Sequence, residues 1–109
     1  MELQQILDEL GISENDYLEE IQDYIEQLTE DFSNLNYACE TENFNQISKI
    51  AGSIKQRADA LKLQDITDIT YQIELQGKNK AGLEFINRGV EELERAFQNL
   101  QEQYTLELV

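Results

Sequence analysis

The side chains that usually carry chemistry are unevenly supplied in this chain. It has no histidine, a single cysteine (Cys39), and 23 aspartates and glutamates against eight lysines and arginines. Without imidazole it lacks the common neutral-pH general base and the nitrogen ligands of zinc sites, which otherwise need clustered cysteines. Carboxylate pairs at Glu19/Asp23, Glu26/Glu30 and Glu91/Glu94 are spaced to share one helix face. A di-iron site in a helical bundle would need Glu-x-x-His partners that are missing, so these pairs are expected to be solvated acidic faces. No glycine-rich phosphate loop and no nucleophile triad occurs. The expectation is a protein that binds rather than an enzyme, with no metal and no cofactor.

The charge pattern narrows the partners. A net charge of −15 opposes nonspecific attraction to nucleic acid or anionic lipid, so neither is expected. No apolar run approaches the roughly 18 residues of a membrane span, and no secretory leader pattern is present. Cys39 cannot form an internal disulfide, which suits a reducing compartment, and a cytoplasmic location is expected. Residues 1–48 contain no lysine or arginine, whereas Lys49, Lys55, Arg57 and Lys62 fall within one short segment. Such an island either serves solubility or attracts an acidic partner.

The elements that must position this segment follow from periodicity. Absence of proline and abundance of Glu, Gln, Leu and Ile favour long helices, in one domain over residues 1–109. Leu3, Ile6, Leu7 and Leu10 predict a short helix stopped by Gly11 as a left-handed cap. Ser13 is a candidate N-cap for a long second helix striped by Tyr17, Ile21, Ile25, Leu28, Phe32, Leu35 and Cys39. Thr41 or Asn43 caps a third, carrying Phe44, Ile47, Ala51, Ile54, Ala58 and Leu61. After a break near Lys62, a fourth bears Ile66, Ile69 and Ile73 and is expected to end at Gly77. The last is striped by Leu83, Ile86, Val90, Leu93, Phe97, Leu100 and Tyr104, with Gly82 and Gly89 each weakening it by roughly 1 kcal/mol. The expected fold is all-α, an antiparallel up-down four-helix bundle with a short N-terminal helix as a lid, and monomeric; a coiled-coil dimer is the alternative. Most aromatic residues are expected at the core or its edge.

Within the third helix, Ile50-Ala51-Gly52-Ser53-Ile54-Lys55-Gln56-Arg57-Ala58 resembles the signature segment of the histidine-containing phosphotransfer (HPt) family, Ala-His-x-(Ile/Leu)-Lys-Gly-x-Ala. Ala51, Ile54, Lys55 and Ala58 stand at matching positions. The resemblance extends through the acidic leading helices, the approach from Phe44 to Ile50, and the continuation from Leu63-Gln64-Asp65-Ile66 to Ile73-Glu74. It implies the four-helix fold and docking to a response-regulator receiver domain or a histidine kinase, with the lysine matched by Lys55 beside the phosphoryl group. The departures are specific. Gly52 stands where the family has its phosphoacceptor histidine, Gln56 where it has glycine, and Lys62 near the helix end where it often has glycine, so that this turn is expected to differ. Glycine cannot accept a phosphoryl group. Ser53 lacks an activating base, and Asp59 lacks the carboxylate cluster and magnesium that aspartyl phosphorylation uses.

Helix geometry places these residues, since each advances roughly 100°. Relative to Ile47, Ile54 and Ala58, the positions Ser48, Gly52, Lys55 and Asp59 lie roughly 80–140° away, and Gln56 points nearly opposite the core. Gly52 is thus expected on a flank facing solvent or a neighbouring helix edge. It is either the trace of a lost histidine, a deliberate replacement, or a glycine required by a side chain or backbone passing close by. The expected partner-binding residues are Ser48, Lys49, Gly52, Lys55, Gln56, Arg57 and Asp59, on a surface between the second and third helices. The expected function is a noncatalytic phosphotransfer-like interaction module of two-component signalling. A structural assembly module, or a phosphotransfer domain whose histidine has been replaced, are the alternatives.

Overall fold

A computed structural model describes the backbone of residues 2–108 and the side chains of residues 2–104. These residues are all-helical: α1 (Leu3–Leu10), α2 (Glu14–Glu40), α3 (Phe44–Ala60), α4 (Gln64–Lys78) and α5 (Leu83–Leu108). None of the helices is long and apolar enough to cross a membrane.

Local chemistry sets the helix ends. Gly11 closes α1 at φ 67°, where its N–H donates to the Leu7 carbonyl. The Ser13 hydroxyl accepts from the Asp16 amide at 3.1 Å, and the Asn43 side chain accepts from the Gln46 amide at 3.2 Å. Thr41 is the C-cap of the preceding helix, its hydroxyl donating back to the Tyr37 carbonyl at 2.9 Å. The three interhelical turns after α2, α3 and α4 share one closure, with Glu42, Lys62 and Lys80 at φ 52°, 61° and 52°. After each of them an amide reaches back five residues: Asn43 to Ala38, Leu63 to Ala58, and Ala81 to Gln76. This is the Schellman turn that glycine usually makes, built here on ordinary side chains. Lys62 therefore keeps the turn geometry that a glycine would give.

Two expectations about glycine are corrected. Gly77 does not end α4, which runs on to Lys78; it is buried, and a Cβ there would stand 3.0 Å from the Ser48 nitrogen and 3.2 Å from the Phe44 oxygen. It is the point at which α4 touches the backbone of α3. Gly82 lies before α5 and accepts from the Phe85 amide at 3.0 Å, so it imposes no mid-helix cost. Gly89 is within α5, where a Cβ would crowd Ile73 Cγ1 at 2.8 Å, so its absence lets α4 and α5 approach.

The helices touch as a closed ring, α2–α3–α4–α5–α2. Contacts run in opposite chain directions across each pair. Tyr17 and Tyr24 donate to the carbonyls of Leu61 and Ile54, at 2.6 and 3.2 Å. Phe32 meets Phe97 at 5.4 Å between ring centroids, and Tyr17 meets Tyr104 at 6.3 Å. Inside the ring, Ile21, Leu28, Leu35, Ile47, Ile54, Ile73, Ile86 and Leu93 are fully buried. Each contributes about 1.5–3 kcal/mol by leaving water. Ile6 and Leu7 carry the inner face of α1 into the same core. Three large aromatics depart from the expected pattern: Tyr37, Tyr71 and Phe85 are exposed.

Candidate interaction surface on α3 and α4

The apolar stripe of α3 turns Ser48, Gly52 and Lys55 toward α4, along the flank that the helical spacing indicates. The outcome for Gly52 is burial. Glu74 of α4 lies over it, and a Cβ at position 52 would overlap Glu74 Oε2. Of the two surroundings expected for this flank, it has the neighbouring helix edge and not solvent. The surface around it is the seam between α3 and α4, not the one between α2 and α3. The glycine leaves room there for the end of a side chain passing close by.

The other carboxylate oxygen of Glu74 accepts from Lys55 Nζ at 2.7 Å, with the two side chains 13% and 26% exposed. The same ammonium stands 5.3 Å from the centroid of the Tyr71 ring. A partly desolvated cation held between a carboxylate and an aromatic face loses little to solvent screening. Ser48 is buried and donates back to the Asn45 carbonyl at 2.9 Å, which leaves its hydroxyl facing its own helix.

The fold separates the basic island. Arg57 turns to α2 and meets Asp31 at 3.4 Å, while Lys62 meets Glu9 of α1 at 3.8 Å. Lys49, Gln56 and Asp59 are exposed, with no ion pair to Lys49 or Asp59 among the described residues. Three of the four island cations thus hold carboxylates from three different helices. Of the residues expected to bind a partner, Lys49, Gln56, Arg57 and Asp59 are accessible, Lys55 is half covered, and Ser48 and Gly52 lie inside the seam.

Sequence reasoning missed Glu74 and Tyr71 as parts of this surface. The usable signal was the spacing of Tyr71, Glu74 and Lys78 along one side of α4. It becomes interpretable only once α4 is known to lie against Gly52.

Groups elsewhere are chemically quiet. Burial raises the Tyr17 hydroxyl far above the ordinary tyrosine range, with Tyr104 beside it adding to the effect. Burial does the same for Tyr24, reinforced by Asp31. The Cys39 thiol is also pushed up by burial, which keeps it protonated and unreactive. No group of three or more potential metal ligands occurs among the described residues. The arrangement offers charged and aromatic contact rather than an acceptor for a transferred group. No family model matches the chain, and neither a curated protein nor a solved structure shows significant similarity to it.

Proposed function

We propose that the chain is an HPt-like four-helix bundle, with α1 as a lid, that binds a receiver domain or a histidine kinase in two-component signalling without carrying phosphate. The observation that carries this reading is the Gly52–Glu74–Lys55 contact. At the position matching the family's acceptor stands a glycine, and a carboxylate covers it and occupies the lysine matched by Lys55. The closed antiparallel ring of α2 to α5 supports the fold half of the reading.

The resulting module competes with a true phosphotransfer protein for the same partner. Docking over α3 and α4 gives contact area without a reaction, because no residue there can accept a phosphoryl group. Electrostatic complementarity to an acidic receiver pocket supplies attraction and orientation. Its place of action is the cytoplasm, with the chain a monomer before it binds.

Calorimetric titration against purified bacterial receiver domains, free and as beryllofluoride complexes, tests the proposal. Saturable one-to-one binding at micromolar concentration is expected. Absence of binding to every receiver, together with a stable oligomer in light scattering, would replace it with an assembly role.

A further inference from the structure

The charge of the chain inverts at one place in the fold. Residues 43–58 and 69–83 hold five of the eight lysines and arginines but only one, Glu74, of the 23 acidic residues. In the sequence these stretches are separated by Asp59, Asp65 and Asp68. Antiparallel packing brings them together, with Gly77 against the backbone of Ser48 and Phe44, and Glu74 over Gly52. With Arg57 turned to α2, Lys49 and Lys55 of α3 and Lys78 and Lys80 at the end of α4 form a basic seam on a molecule of net charge −15.

Its cations differ in availability. Lys55 and Arg57 are engaged with Glu74 and Asp31. Lys49, Lys78 and Lys80 are exposed and make no ion pair among the described residues. Lys78 lies one turn beyond Glu74 and Tyr71 one turn before it, so both border the covered glycine. Lys49 stands one turn before Gly52 on the facing helix. Tyr71 is 46% exposed, and the Lys55 ammonium stands over its ring. An exposed aromatic at one end of a seam whose other end carries the unpaired Lys49, Lys78 and Lys80 has the make-up of an interface anchor beside a charged rim.

We infer that this face is the docking surface for an acidic protein partner, with Tyr71 as the apolar anchor and Lys49, Lys78 and Lys80 as the cations that select it. The inference rests on the binding-module reading and names the residues that decide partner choice within it. The rest of the chain carries the opposite sign and repels the same partner. An acidic surface can therefore approach favourably in one orientation.

The probes are purified receiver domains, titrated at low and at physiological salt. The variants are the triple charge reversal Lys49→Glu/Lys78→Glu/Lys80→Glu, the single Tyr71→Ala, and Arg95→Glu on α5 as a control, each checked for native helicity and melting. The triple reversal is expected to weaken binding by about tenfold or more and to abolish its salt dependence. Tyr71→Ala is expected to weaken it by about tenfold, through a faster off-rate. Arg95→Glu should stay within about twofold. Should the triple reversal fail to fold, the corresponding Lys→Gln triple serves, with a smaller loss in the same direction. Receiver binding that survives both the lysine and the tyrosine changes would overturn this inference and leave the binding-module reading standing. Binding of the unaltered protein to phosphatidylserine vesicles but to no receiver would overturn both.

Discussion

The Glu74 carboxylate lies against Gly52 where a Cβ would stand, and Lys55 holds it there with an ion pair of 2.7 Å. A glycine in the middle of a helix costs about 1 kcal/mol relative to alanine. Here the missing side chain leaves room for a neighbour's charged end, so the local cost is tied to a contact between helices. The same pair explains why the lysine nearest the covered glycine contributes less free charge than its place in the sequence suggests.

Gly52 and Gly77 should respond differently to alanine. At position 52 the obstacle is the tip of a flexible side chain, which can swing away, and alanine improves helix propensity. Gly52→Ala is expected to change stability by less than about 0.5 kcal/mol in either direction. At position 77 the obstacle is the backbone of α3. Gly77→Ala is expected to cost about 1–2 kcal/mol after its helix gain, as overpacking does in a rigid contact. Urea unfolding of the two variants measures this ranking, and equal effects would contradict it.

The three left-handed residues in the turns offer a route to stabilisation. Glu42→Gly, Lys62→Gly and Lys80→Gly each remove the strain of a Cβ at positive φ. Each is expected to add about 0.5–1 kcal/mol, the strain relieved being partly offset by a more flexible unfolded chain. Lys62→Gly also loses the exposed pair with Glu9, which is worth little. Thermal melts of the single and double variants measure this, and Lys62→Gly is expected to add to either of the others because its turn lies at the opposite end of α3.

Gln76 is the one described residue whose buried side-chain oxygen has no hydrogen-bond partner, on the side of α4 that faces Gly89. Replacing it with a residue of similar shape and no polar atoms removes that desolvation cost. Gln76→Met is expected to raise stability by about 1 kcal/mol and Gln76→Glu to lower it, as an isolated charge would be less well tolerated there. Chemical denaturation distinguishes the two.

Alkaline pH should unfold the protein through Tyr17 and Tyr24. Burial raises both hydroxyls in the folded state above their unfolded value near 10. Their stabilising contribution is complete below that pH. Above it the unfolded chain loses protons that the folded chain keeps, so stability falls as pH rises. Circular dichroism melts from pH 8 to 11 should show this decline. It should be shallower in Tyr24→Phe, which also forfeits about 1 kcal/mol at neutral pH through the lost bond to the Ile54 carbonyl.

Much of the architecture was legible because its signals are short-range. Stripes such as Leu83 to Tyr104 repeat at the helical period, and Gly11, Ser13 and Asn43 cap helices within three residues of themselves. The turn at Lys62 was harder, since a left-handed lysine carries no mark of its backbone. Gly77 misled for a related reason: a glycine near a helix end suggests termination, whereas its use here is contact with a helix distant in the chain. Arg57 and Lys62 looked like members of one island, yet Asp31 and Glu9 divide them.

By itself the amino-acid sequence determined the helical class, the number and placement of the helices, and the absence of any histidine. These depend on residue type and local periodicity, which act within a turn or two of the chain. Only the tertiary structure decided that Gly52 is covered, that three of the island cations are paired, and that the Gly77 end of α4 lies beside Ser48 of α3. Those are relations between helices, set by which faces the burial of Ile47, Ile54 and Ile73 turns toward one another.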